Sequence, residues 1–167
     1  MPMVIPTRPL IGLLLALTAL AAWADRHGDQ PRVAPVDHAL YQKECGSCHF
    51  AYQPGLLPAP SWRNLMSKLD QHFGENAELP GDQAAEISAY LTANAGANSK
   101  LVSGVQGERI STGAYFQREH RKLGTALVSG NPAVTTFSNC PACHQDAAKG
   151  GYRERAIHIP GHGPWDD

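Results

Sequence analysis

Cys45-Gly46-Ser47-Cys48-His49 and Cys140-Pro141-Ala142-Cys143-His144 are two copies of one pattern, and together they use every cysteine of the 167-residue chain. Two cysteines three apart on a helical turn can both reach the edge of a haem and form thioethers with its vinyl groups, and the adjacent histidine then lies beneath the iron. Zinc is a poorer reading, because structural zinc sites separate the cysteine pair from the histidines rather than fusing His to the second Cys. Two redox CxxC pairs are poorer too, since nothing in that chemistry calls for a following His in both copies. The motifs are 140 − 45 = 95 residues apart, so each must hold its own haem, bound through Cys45, Cys48 and His49 in one case and Cys140, Cys143 and His144 in the other.

Working outward, the sixth iron ligands decide the chemistry: His or Met makes an electron carrier, and an open position binds small molecules. Met66 is the one methionine beyond residue 3. For the first haem it competes with His72 at opposite edges of an apolar helical arc; His72, 23 residues after His49, is preferred. For the second haem, His120 interrupts the apolar stripe Phe116, His120, Leu123 of a charged segment, where ordinary patterning would place another Leu, and His158 is its runner-up. The iron-binding set is then His49, His72, His144 and His120. Two imidazoles per iron lower the potential relative to His/Met, which predicts a low-potential carrier. An open haem in a peroxidase-like or nitrite-reducing dihaem enzyme is the alternative.

The sequence around the motifs reads as mainly α. Asp37 can N-cap a helix His38–Cys45, and Ser61 one over Trp62–Phe73 that ends at Gly74. The prolines at 54, 58 and 60 hold the intervening stretch out of regular structure. Asp82 starts a helix reaching Ala95, Thr112 caps Gly113–Leu123, and Phe137–Asp146 carries the second motif. A carbonyl of Pro58 or Pro60 is placed to orient the His49 ring. The Gly-rich stretches near 96–100 and 104–107 read as a linker, dividing the chain into haem domains at 25–99 and 100–167.

Residues 1–24 have the form of a secretory signal: Arg8, the 13-residue apolar run Leu10–Ala22, and the small-x-small site Ala22-Trp23-Ala24. That run is shorter than the ~20 residues a membrane span needs. Cleavage leaves 167 − 24 = 143 residues with a net charge of 13 − 15 = −2, no later membrane span, and a periplasmic destination. The near-neutral charge excludes a nucleic-acid-binding footprint. Two units of about 70 residues are a size at which a polypeptide core is marginal and a bound cofactor helps to supply it.

The chain resembles the exported dihaem cytochromes c. The resemblance is most specific in Tyr41–Trp62 and His72–Ala77, and it returns in Phe116–Lys122, Cys140–His144 and Tyr152–Pro160. It implies a first domain like a class I cytochrome c, an irregular α second domain, and bis-histidine ligation, with His72 on the first haem and His120 on the second. It also implies an electron-transfer protein rather than an enzyme, a small oxygen-binding cytochrome as acceptor, and a membrane b-type cytochrome as candidate donor.

Overall fold

A computed structural model describes residues 33–97 and 100–165; the signal-like segment, His27 and the linker residues Asn98 and Ser99 lie outside them. The described residues lie in one compact, mainly helical unit. Its helices are α1 (Ala39–Cys45), α2 (Ala59–Met66), α3 (Gly81–Ala93), α4 (Ala114–His120) and α5 (Cys140–Cys143), joined by loops and single 3-10 turns. The strands among the described residues are β1 (His158–Ile159) and β2 (Gly163–Pro164), which pair antiparallel.

Tyr41, Leu57, Trp62, Ile87 and Leu91 form the main core, drawn from α1, α2, α3 and the loop between α1 and α2. Ile87 and Leu91 are one turn apart on α3 and lie wholly inside. Trp62 is buried with its indole N–H satisfied, donating to the Pro54 carbonyl at 2.8 Å, the condition under which a tryptophan can be taken out of water. A smaller apolar group, Val128, Val134, Ala147 and Ile159, is buried in the second half. Buried Asn131 ties that region together: its amide donates to the Pro160 carbonyl at 2.8 Å, and its Oδ1 accepts from the Ala133 N–H at 3.1 Å.

The helix starts differ from the expected ones. His38, not Asp37, caps α1: its Nδ1 accepts the Tyr41 N–H at 3.2 Å, while the Asp37 N–H donates to the Tyr90 hydroxyl. The helix at Ser61 starts earlier and stops sooner. Pro58 is the residue before its first turn, and Pro60 sits second within it, a position where a missing N–H costs nothing. Ser61 is free to donate to the Gly107 carbonyl across the molecule. The chain leaves helix after Met66, so His72 does not end that helix; it follows a 3-10 turn, Leu69–Gln71. Thr112 likewise is no cap, since its hydroxyl accepts from Gln106 N–H and donates to Arg109, closing the loop before α4. Within 137–146, Cys140–Cys143 of the second motif form a four-residue helix that His144 follows.

The linker region is packed where it is described. Gly96 donates its N–H to the Leu57 carbonyl at 2.9 Å. Gly150, in the left-handed region at φ 72°, lies so close to the Val33 carbonyl that a Cβ there would overlap it. The first described residues are thus pressed onto the turn that follows the second motif.

Candidate haem-binding sites

In the first site, α1 delivers Cys45 at its last turn, and Cys48 and His49 follow in the turn beyond it. His72 arrives from the loop after α2, shaped by Phe73 at φ 53° and Gly74 at φ 103°. The two imidazoles face each other with ring centres 6.0 Å apart and planes 17° from parallel. In the second site, α4 ends on His120 and α5 runs into His144; their ring centres are 6.1 Å apart at 67°.

These separations are informative against a contact made elsewhere in the protein. Phe116 and His120 stack directly, at 3.9 Å and 12°. The first histidine pair, also near-parallel, is about 2 Å further apart than that stack. Two metal–imidazole bonds of about 2.0–2.1 Å, plus roughly 1.1 Å from each nitrogen to its ring centre, require about 6.2–6.4 Å across a shared ion. Among the described residues, no three His, Cys, Asp or Glu side chains are grouped so as to hold a bare metal ion.

The electrostatics suit metal ligation and attachment. Burial pushes the His144 imidazole down to about 4, reinforced by His120 beside it. Burial also lowers His120, opposed by its bond to the Phe116 carbonyl, and lowers His72, reinforced by His49. Neutral rings keep a lone pair for iron. His120 Nδ1 lies 2.8 Å from the Phe116 carbonyl, and His49 Nδ1 lies 2.8 Å from the Phe50 carbonyl. A carbonyl can only accept, so each Nδ1 carries the proton and Nε2 is left for a metal. The carbonyl at His49 is therefore that of Phe50, not of Pro58 or Pro60; Pro58 is occupied accepting the first amides of α2. Burial pushes the Cys45 and Cys140 thiols up to about 11. That is opposite in direction to the depressed thiols of CxxC redox centres.

Of the competing ligands, Met66 packs against the main core. His158 is exposed on β1, opposite Pro164. The contact unread in the sequence is Gln53, wholly buried within a proline-rich loop; both of its partners lie more than 90 residues away, which no local pattern reveals.

The profile of the dihaem cytochromes c matches residues 41–152, running from α1 through both motifs. The chain belongs to the dihaem cytochrome c family. Solved relatives of this dihaem cytochrome c agree over nearly their whole length. The crystal structure of a dihaem cytochrome c from Shewanella baltica OS155 is 41% identical, with a TM-score of 0.68, covering 77% of this chain and 97% of that one. Two structures from Rhodobacter sphaeroides are 37% and 35% identical, with TM-scores of 0.61 and 0.65. They cover 71% and 73% of this chain and 99% and 100% of theirs. No curated protein matches the chain. Membership means two covalently attached c-type haems and a haem-based electron-transfer role with redox partner proteins. Among the described residues, no helix is long and apolar enough to cross a membrane.

Proposed function

We propose that this dihaem cytochrome is a low-potential, single-electron carrier of the periplasm with both irons ligated by two histidines. Cys45 and Cys48 hold the first haem, with His49 and His72 as axial ligands. Cys140 and Cys143 hold the second, with His144 and His120. Each bound haem supplies a one-electron valence change. The protein's part is to supply both axial nitrogens, so that no position is left for oxygen or peroxide, and to keep water from the macrocycles. Phe73, edge-on to His72 at 5.0 Å, and Phe137, edge-on to His120 at 5.7 Å, are the large exposed apolar side chains among the described residues, and each offers its site an apolar wall.

Residues 25–99 and 100–167 each wrap one haem, and residues 1–24 are the export signal. The acceptor is a small oxygen-binding cytochrome and the donor a membrane b-type cytochrome, as the resemblance to exported dihaem cytochromes implies. The observation that supports the ligand set is a pair of neighbouring imidazoles beside each motif, with ring centres 6.0 and 6.1 Å apart. Redox titration of the purified holoprotein, followed by low-temperature electron paramagnetic resonance, tests it. Two low-spin signals from two-imidazole haems, and no carbon monoxide binding on reduction, are expected. Methionine ligation of either haem, or carbon monoxide binding readily to either, refutes the ligand set as described, and peroxide turnover points to the enzyme instead.

A further inference from the structure

Tyr52 and Gln53 follow His49 by three and four residues, yet their side-chain hydrogen bonds go to the other site. Gln53 is 0% exposed. Its Nε2 donates to the Ala147 carbonyl at 2.5 Å, and its Oε1 accepts the Tyr152 hydroxyl at 2.6 Å. Both partners hold His144: the Ala147 N–H donates to the His144 carbonyl at 2.9 Å, and the Tyr152 ring stands edge-on to the His144 imidazole, centres 5.2 Å apart. Tyr52 acts on the other flank. Its ring lies 5.3 Å from that of His49, and its hydroxyl donates to the Ser138 carbonyl at 2.7 Å, two residues before Cys140. Tyr41 of α1 fixes it in turn, donating to the Tyr52 carbonyl at 2.8 Å.

Losing the Gln53 amide would leave the Ala147 carbonyl and the Tyr152 hydroxyl short of a partner, at about 1–3 kcal/mol for a buried group left unsatisfied. Gln53 therefore adds to stability, but only in one geometry. Its two ends are satisfied together in one placement of the second motif relative to the first, so it fixes geometry. We propose that Tyr52 and Gln53 are positioning residues for the second haem, setting the orientation of the His144 imidazole from within the attachment segment of the first. The inference rests on His144 being an axial ligand. Orientation and hydrogen bonding around an axial histidine tune the potential of its iron, so the second haem's potential depends on side chains that lie, in sequence, beside the first.

The test uses the holoprotein with Gln53→Met, which removes both amide bonds at similar length, Tyr152→Phe, which removes one and keeps the ring, and Tyr52→Phe, which removes the bond to Ser138. Redox titration with electron paramagnetic resonance reads each haem separately, and the second haem is identified as the one whose signal changes in His120→Met. Each variant is expected to shift the second haem's reduction equilibrium threefold or more, about 28 mV for a one-electron couple, and to move its g-values while the first haem's stay fixed. Gln53→Met and Tyr152→Phe combined should shift it by less than their sum, because they share one hydrogen bond. Unmoved potentials with only a lowered melting temperature would overturn the inference, leaving a structural role. So would a shift confined to the first haem. A wild-type second haem lacking the signal of two imidazoles sinks the ligation and this inference together, whereas a two-imidazole wild type with unmoved variants sinks the inference alone.

Discussion

Replacing His120 by alanine separates the proposed ligand set from its rivals, and the structure sets the size of the effect. His120 lies beside His144 with ring centres 6.1 Å apart, while His158 is exposed on β1 and paired with Pro164. With the imidazole gone, one of the two irons loses an axial ligand and the other keeps both. About half of the low-spin signal should therefore convert to high spin, and the reduced protein should bind about one carbon monoxide per chain where the wild type binds none. His158→Ala should leave the spectrum whole and bind none. His120→Ala also removes the side-chain bond to the Phe116 carbonyl, a net loss of about 0.5–1.5 kcal/mol, so a lower melting temperature should accompany the spectral change without unfolding. Spectroscopic titration with carbon monoxide, counted against total haem, reads the outcome. A wholly low-spin His120→Ala protein that binds no carbon monoxide refutes the assignment, and opening of the iron by His158→Ala would transfer it to the runner-up.

Three further outcomes follow from named contacts. Gly150→Ala should destabilise by about 2–4 kcal/mol in chemical denaturation: the left-handed backbone at φ 72° costs roughly 1–2, and moving the Val33 carbonyl aside forfeits part of the ~1.5–3 kcal/mol gained by burying that side chain; a loss under ~1 would show that the close approach is easily relieved. Met66→Leu, a swap of similar volume against the main core, should cost under ~1.5 kcal/mol and leave both haem potentials and spectra unchanged, so a fall in one potential would make Met66 a ligand. Stability should fall on acidification from about pH 6.5 toward 4. Burial holds His144 down at about 4 and lowers His72 and His120, so the unfolded chain, titrating near 6.5, binds protons that the folded one refuses, and iron ligation acts in the same direction. Melting temperature against pH measures it; His120→Ala should show a shallower decline, and a melting temperature that rises on acidification contradicts the sign.

The parts of this protein legible in its sequence are those whose chemistry is local. A thioether pair and its histidine must sit within one turn, so CxxCH announces each attachment point without any knowledge of the fold. His120 is nominated for a related reason: its place on an apolar helical stripe is a local anomaly, and the stacked Phe116 ring and carbonyl bond occur within the same helix, four residues back. His72 is nominated on partly mistaken grounds. The apolar period runs on past Met66, but the helix does not, and what carries His72 to His49 is a 3-10 turn followed by two positive-φ residues. Sequence period reports which side chains want to be inside, and that demand is satisfied here by a loop as well as by a helix. Gln53 marks the opposite limit. A glutamine between Tyr and Pro reads as solvated loop, and only partners 94 and 99 residues along the chain turn it into core. Punctuation by glycine near 96–107 is written locally, whereas the hydrogen bonds of Tyr52, Gln53 and Ser61 that cross it are not. If the haems communicate, the residues responsible are therefore of the kind a motif search passes over, polar side chains without a local partner in segments that look like linkers.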